Sequence, residues 1–144
     1  MKDKGFTLIE TLIVLSIVAI ISLGSFVLIK PQKELIANHL FLTQFQSDLY
    51  VAQQYAIAHQ IEVTVKIIPE RNYYYIHERY DAKYIVERYY LPTITFGPGS
   101  LPFMFKFLPD GNVSHFGSLN FKIGSKSYKL TIQLGKGRFY IVES

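Results

Sequence analysis

The sequence predicts an α+β protein in which a long N-terminal helix packs on an antiparallel β-sheet. An apolar run covers residues 6–29, and helical spacing of apolar residues follows over residues 30–60. From residue 61 onward, short segments of alternating apolar and polar residues are separated by turn residues, as in half-buried strands. The 11 Phe and 11 Tyr residues also favour a β-rich body. The length of 144 residues suits one compact domain with an anchor.

The first element is a run of 24 residues from Phe6 to Ile29 in which Glu10 carries the only charge. As a helix it would be about 36 Å long, enough to cross a hydrocarbon layer of about 30 Å with some tilt. A removable secretory signal is the alternative, but its apolar stretch is shorter and ends at a small-x-small cleavage site. We therefore expect a retained membrane anchor. Lysines on both sides of the run leave its orientation open.

Glu10 is the unusual residue of this run, because a carboxylate deep in a bilayer costs about 2.5–3.5 kcal/mol. It lies four residues after Phe6, so its side chain could simply extend to the lipid headgroups. Alternatively, assembly with another molecule supplies a cation that pairs with it. The residues by themselves leave both explanations open.

The residues around Glu10 carry a resemblance to a known family. Residues 5–10, Gly-Phe-Thr-Leu-Ile-Glu, follow Lys4 and precede the apolar run. This segment resembles the class III prepilin signal of type IV pilins and of the pseudopilins of type II secretion and competence systems. The resemblance implies that a prepilin peptidase cleaves between Gly5 and Phe6 and methylates the new Phe6 amine. It also implies a cytoplasmic N-terminus, an external body, and pairing of Glu10 with the Phe6 amine of a neighbouring subunit, which would set the register of a filament.

The second half of the helix is expected over residues 30–60. Pro31 removes a backbone hydrogen bond and crowds the preceding turn, so we expect a kink or break there. That proline either marks the boundary between anchor and body or bends the helix to fit a filament. Beyond it, residues spaced three and four apart predict one helical face that packs on the sheet rather than in a coiled coil. This face consists of Leu35, Asn38, Leu42, Phe45, Leu49, Ala52 and Ala56.

Polar residues of the same segment are expected mostly on the other faces of the helix. They are Gln44, Gln46, Asp48, Gln53 and Gln54.

The body is expected to consist of short strands joined by turns. Residues 92–102, which include Gly97-Pro98-Gly99, read as a loop, and residues 109–111 read as a hairpin turn with Gly111 at a positive φ. The predicted strands cover residues 61–67, 73–77, 84–91, 103–108, 112–116, 119–123, 128–134 and 138–142.

The body also resembles the H-type minor pseudopilins and the ComGD-type competence pseudopilins of Gram-positive bacteria. The similar residues are the helix end over 48–58, the strand that starts at Ile61, and the turns at Gly111 and Gly135. The resemblance implies a type IV pilin-like fold with a leader over 1–5, a transmembrane helix over 6–29, its continuation over 30–60 and a β body over 61–144.

The function that the resemblance implies is structural. The chain would be a minor subunit of a competence pseudopilus that takes up external DNA, with prepilin peptidase, other pseudopilins and the membrane as partners. It would lie in the cell membrane before assembly and in a surface filament afterwards. A minor pseudopilin of a type II secretion system is the alternative, and a single-span receptor or adhesin that never polymerises is the alternative outside this class.

Signs of catalysis are missing from the sequence. The four histidines have no metal-ligand spacing, and the segment Gly97-Pro98-Gly99 lacks the Lys-Ser/Thr of a phosphate loop. Without cysteine there is neither a disulfide nor a thiolate metal site. We therefore expect no enzyme activity, no cofactor and no metal.

Basic residues near the C-terminus raise the possibility of DNA contact. The net charge is +4, and residues 119–144 contain five cations against the single acid Glu143. Ordinary solvent-facing lysines on strands are the alternative explanation. The candidate contact residues are Lys126, Lys129, Lys136 and Arg138.

Overall fold

A computed structural model of the protein describes residues 7–78, 84–135 and 137–144, and only the backbone of residues 23–35 and 37–39. The chain divides into two units, Met1–Ala37 and Asn38–Ser144. The described part of the first unit is helical from Leu8 onward. The second unit contains the rest of that helix and all the strands. The predicted α+β class, with an N-terminal helix packed on antiparallel strands, is confirmed.

The helix α1 runs from Leu8 to His59 over 52 residues. It continues through Pro31, so the expected break is not present, while the kink stays a prediction. Its C-terminal end is closed by Gln60, whose φ of 55° is in the left-handed region. The N–H of Ile61 donates to the Ala56 carbonyl at 3.2 Å, which satisfies one of the last helical carbonyls and turns the chain towards the first strand.

Within residues 7–78, 84–135 and 137–144, eight strands form two four-stranded antiparallel sheets rather than the single sheet that the sequence suggested. Sheet A has the order β3-β2-β1-β5, and sheet B has the order β4-β6-β7-β8. The strands are β1 (Val63–Ile68), β2 (Tyr73–His77), β3 (Val86–Tyr89), β4 (Ile94–Gly97), β5 (Met104–Phe107), β6 (Gly117–Ile123), β7 (Lys126–Ile132) and β8 (Phe139–Glu143).

Two of the predicted segments are wrong. The expected loop over 92–102 contains β4, because Ile94 and Phe96 are buried and pair with β6. The expected strand over 112–116 is not formed; Val113 makes one isolated bridge to Phe107. The turn at Gly111 is confirmed, with φ at +80°. Gly97 and Gly99 suggested a loop, but β4 is a strand because it pairs with β6. Local composition does not predict such pairing.

The core of the second unit lies between α1 and the two sheets. Phe45, Leu49, Ala52 and Ala56 are fully buried, which confirms the predicted helical face for these residues. The ring of Phe45 contacts both sheets, since its centroid lies 5.2 Å from that of Tyr74 in sheet A and 5.6–6.0 Å from those of the sheet B rings. Side chains of the predicted face at residues 35 and 38 lie outside the described part.

Asp48 is buried in this core, contrary to the expectation that it lies on another face. It is 5% exposed because it follows Phe45 by three residues and precedes Ala52 by four, so it shares their face. Its Oδ2 accepts a hydrogen bond from the Tyr74 hydroxyl at 2.7 Å and from Arg88 Nε at 3.2 Å. Burial and the bond to Asp48 raise the pKa of Tyr74. The carboxylate therefore ties α1 to β2 and β3.

Gln53 is the second polar residue that the helix places in the core. Its Nε2 donates to the carbonyls of Gly111 at 2.9 Å and Gly137 at 3.1 Å, which are far apart in sequence. Both glycines have positive φ, and a β-carbon at Gly137 would collide with the Gly111 carbonyl. Gln53 thus fixes two turns against the end of the helix.

Candidate functional site

The described part of the N-terminal unit presents an apolar helix surface. All side chains of residues 8–22 are exposed, and Leu8 is 80% exposed. Contiguous exposed apolar surface on this scale marks a region that binds other proteins or lipid. Its large apolar members are Leu8, Ile9, Leu12, Ile13, Val14, Leu15, Ile17, Val18, Ile20 and Ile21.

The hydroxyl groups of this surface are satisfied within the helix itself. Thr11 Oγ1 donates to the Leu8 carbonyl, and the hydroxyl groups of Ser16 and Ser22 donate to carbonyls four residues earlier, each at 2.8 Å. Such bonds remove the cost of placing a hydroxyl in an apolar environment. The surface therefore offers its surroundings almost only hydrocarbon.

Glu10 is the exception on this surface. It lies in the first turn of α1, where a negative charge interacts favourably with the helix dipole. Its side chain is exposed, and among the described residues no cation pairs with it. Gly5 and Phe6 lie outside the described residues, so cleavage between them and pairing of Glu10 with the Phe6 amine stay predictions.

Across the described residues, no helix combines the length and the apolar character needed to cross a membrane. The predicted span over 6–29 includes residue 6 and side chains at 23–29 that lie outside the described part.

Of the predicted DNA-contact residues, Lys126 lies on the opposite face of its strand from Lys129. Lys126 lies 3.0 Å from the Glu143 carboxylate, which raises the pKa of Lys126. Lys129 and Arg138 are exposed, and Lys136 lies outside the described residues. Lys122, which was not in the predicted set, shares the sheet face of Lys129. Strand pairing was the signal needed to find it, and sequence alone does not supply that pairing.

The histidines and acids show no metal-binding arrangement within the described residues. His59 stacks on Tyr55 with ring centroids 3.9 Å apart, and His77 is buried. The side chain of His39 lies outside the described part.

Comparisons with known proteins agree with the predicted resemblance. Residues 1–26 match the family model described as the prokaryotic N-terminal methylation motif. The competence protein ComGD of Bacillus subtilis (strain 168) is 28% identical over 137 residues, which cover 95% of this chain and 92% of that protein. This chain resembles a ComGD-type pseudopilin. The likeness to ComGD extends through the helix and both sheets, well beyond the methylation motif. No solved structure matches the chain.

Proposed function

We propose that this protein is a minor pilin-like subunit of a competence pseudopilus and takes part in the uptake of external DNA for transformation. The similarity to ComGD over 137 residues carries the proposal, because it extends over the body as well as the anchor. The methylation motif over residues 1–26 supports processing by a prepilin peptidase. Both point to a structural protein rather than an enzyme.

Processing and assembly would use the N-terminal unit. Prepilin peptidase would cleave after Gly5 and methylate the Phe6 amine, which stays cationic. The apolar surface of residues 8–22, which is exposed in the single chain, would then pack against neighbouring pseudopilin helices. In that packing Glu10 would meet the Phe6 amine of a neighbour, since two charges in an apolar bundle are tolerated when paired.

The location follows from the same elements. Before assembly the chain would be a single-pass membrane protein with a cytoplasmic N-terminus, anchored by residues 6–29. After assembly it would lie in a surface filament with other major and minor pseudopilins. A bend at Pro31 would let the helix follow the filament.

Processing is tested by the intact mass and the N-terminal sequence of the protein from its native membrane. The expected product lacks residues 1–5 and begins with a methylated Phe6. A Gly5→Leu variant serves as the uncleaved control, because a side chain at that position obstructs the peptidase. Recovery of wild-type protein that still begins at Met1 would exclude the pilin-like role.

The pairing role is tested with Glu10→Gln, which removes the charge and keeps the shape. We expect this variant to enter the membrane and be cleaved but to be lost from sheared filaments. Thr11→Val is the matched control, since it changes the adjacent exposed residue without altering charge. If Glu10→Gln enters filaments as wild type does, Glu10 does not set the register.

A minor pseudopilin of a secretion system would pass both tests, because the motif is shared by the two machines. Deletion of the gene distinguishes them: loss of transformation with normal protein secretion supports the competence role. The reverse phenotype assigns the chain to secretion. A receptor or adhesin that never polymerises would remain unprocessed and absent from filaments.

A further inference from the structure

The outer face of sheet B, which points away from the buried core, carries mostly polar and cationic side chains. Alternation along the strands places buried residues such as Leu119, Phe121 and Leu130 on the inner face and their neighbours on the outer one. Antiparallel pairing then aligns the outer residues in rows across the sheet. The outer face comprises Thr95, Gly97, Ser118, Asn120, Lys122, Ser127, Lys129, Thr131, Tyr140 and Val142.

Two of these rows centre on a lysine. In the first row Lys122 lies between Thr95 and Ser127, two residues that carry hydroxyl groups. In the second row Lys129 lies next to Asn120. The two lysines are diagonal neighbours on adjacent strands, with a spacing of about 7–8 Å. Both can therefore reach successive phosphates of one chain.

Arg138 adds a third cation to the same face. It precedes Tyr140 by two residues, and its carbonyl accepts a hydrogen bond from the Gln133 N–H at 2.8 Å, which continues the β7–β8 ladder. Its side chain thus belongs to the outer face. Lys126 does not, because it pairs in register with Ile123 and binds Glu143.

No acidic side chain lies on this face within the described strands, and none of its three cations forms an ion pair there. A recess of about 360 Å³ opens beside Lys122. Its lining includes the polar residues Thr95, Asn120, Ser127 and Ser144 as well as the aromatic residues Phe96, Phe121 and Tyr128. Gly97 leaves room at its edge, since it carries no side chain. Ammonium and hydroxyl donors around an open recess are the groups that contact phosphate oxygens.

We propose that the outer face of sheet B binds the phosphodiester backbone of double-stranded DNA through Lys122, Lys129 and Arg138. The proposal rests on the proposed role in DNA uptake and assigns the contact to one face of the body. It also revises the predicted contact residues, replacing Lys126 with Lys122, while Lys136 lies outside the described residues. Base edges are not read, so binding is independent of sequence.

The salt dependence of binding measures the number of phosphate contacts. The logarithm of the binding constant falls with the logarithm of salt concentration by about 0.9 per neutralised phosphate of duplex DNA, so three contacts give a slope of about −3. The double variant Lys122→Gln/Lys129→Gln removes two of them. We expect a slope reduced by about 2 and, with the two curves converging near about 1 M salt, binding about 60-fold weaker at about 0.1 M salt.

The experiment uses the full chain in detergent micelles and a short fluorescent DNA duplex, with fluorescence anisotropy over a salt series. The matched control is Lys106→Gln/Lys126→Gln, which removes the same charge from lysines that are paired with Glu62 and Glu143. The proposal expects this control to keep the wild-type slope. An equal loss of affinity in the two double variants would show that DNA is attracted by net charge alone. Wild-type affinity in Lys122→Gln/Lys129→Gln would show that the outer face of sheet B does not bind DNA.

A base-free competitor tests the identity of the ligand. Poly(glycerol phosphate) carries phosphodiesters at lower charge density than a duplex, so we expect it to displace DNA only at a large excess of phosphate. Displacement at equal phosphate concentration would overturn DNA as the occupant. If the protein does not bind DNA but is processed and enters filaments, this binding proposal is wrong and the proposed assembly role stands. If the protein binds DNA but is not processed, the assembly role is wrong and the binding proposal stands.

Discussion

Removal of the buried carboxylate of Asp48 should destabilise the body strongly. In the Asp48→Ala variant the Tyr74 hydroxyl loses its acceptor at 2.7 Å and Arg88 loses its partner at 3.2 Å. The hydroxyl stays in the core, because Tyr74 is 1% exposed. The helix would then lose its buried hydrogen bond to β2 and its ion pair with β3.

The magnitude follows from the exposure of the two partners. A hydrogen bond to a charged group contributes about 1.5–3 kcal/mol, and a buried hydroxyl left without a partner costs about 1–3 kcal/mol more. The Arg88 side chain is 44% exposed, so its ion pair is screened by solvent and contributes less than about 1 kcal/mol. We expect Asp48→Ala to lower the free energy of unfolding by about 3–4 kcal/mol in total.

A double-mutant cycle isolates the bond to Tyr74. The variants are Asp48→Ala, Tyr74→Phe and their combination, and Arg88→Gln serves as the control for the exposed pair. Urea unfolding is followed by near-ultraviolet circular dichroism of the tyrosines, since the chain has no tryptophan. We expect Tyr74→Phe to cost about 1.5–2 kcal/mol and the two positions to couple by about 1–2 kcal/mol.

The reasoning fails if Asp48→Ala unfolds at the wild-type urea concentration or if the two positions are additive. Either result would mean that the carboxylate is solvated in the folded protein. A cost at Arg88→Gln equal to that at Asp48→Ala would instead make the ion pair, not the buried hydroxyl, the main contribution.

Three further predictions concern packing, turn geometry and alkaline stability. Ala52→Leu should cost about 1–3 kcal/mol in urea unfolding by overpacking the site where α1 meets the sheets, whereas Ala58→Leu, at an exposed position of the same helix, should cost almost nothing. Gly137→Ala should lower the melting temperature more than Gly135→Ala: both have positive φ, but only at Gly137 would a β-carbon meet neighbouring atoms, so equal losses would refute the clash. Burial raises the pKa of Tyr90 to about 12, whereas its pKa in the unfolded chain is near 10. The neutral Tyr90 hydroxyl therefore contributes its full stability below about pH 10. That contribution falls by about 1.4 kcal/mol per pH unit between the two pKa values. Spectrophotometric titration checks this, and ionisation of every tyrosine near pH 10 in the folded protein, about the unperturbed value, would contradict it.

Local sequence patterns predicted those elements that are determined by residues close together in the sequence. The spacing of Phe45, Leu49, Ala52 and Ala56 identified the buried helical face, and β2 was predicted with the observed limits. The turn at Gly111 was predicted because only a few residue types adopt a positive φ. Periodicity and turn chemistry act over a few residues, so one sequence is sufficient to read them.

Long-range pairing was not predictable in the same way. The strand β4 was read as a loop because Pro92 precedes its buried residues and Gly97-Pro98-Gly99 follows them, and its place in sheet B depends on β6, over 20 residues later. Asp48 was assigned to a polar face because its acceptor role depends on Tyr74, 26 residues away. A polar side chain is buried when a hydrogen-bond partner lies beside it, and only the folded structure shows which residue that partner is.

The sequence by itself determined the N-terminal methylation motif, the isolated carboxylate of Glu10 and the order of a long helix before a β body. These are properties of adjacent residues, and the comparison with ComGD agrees with them. Only the tertiary structure decided that the strands divide into two sheets and that Lys122 and Lys129 share a face from which Lys126 is excluded. The reason is that a strand's register determines which face each side chain occupies, and register is set by pairing between segments that are distant in sequence.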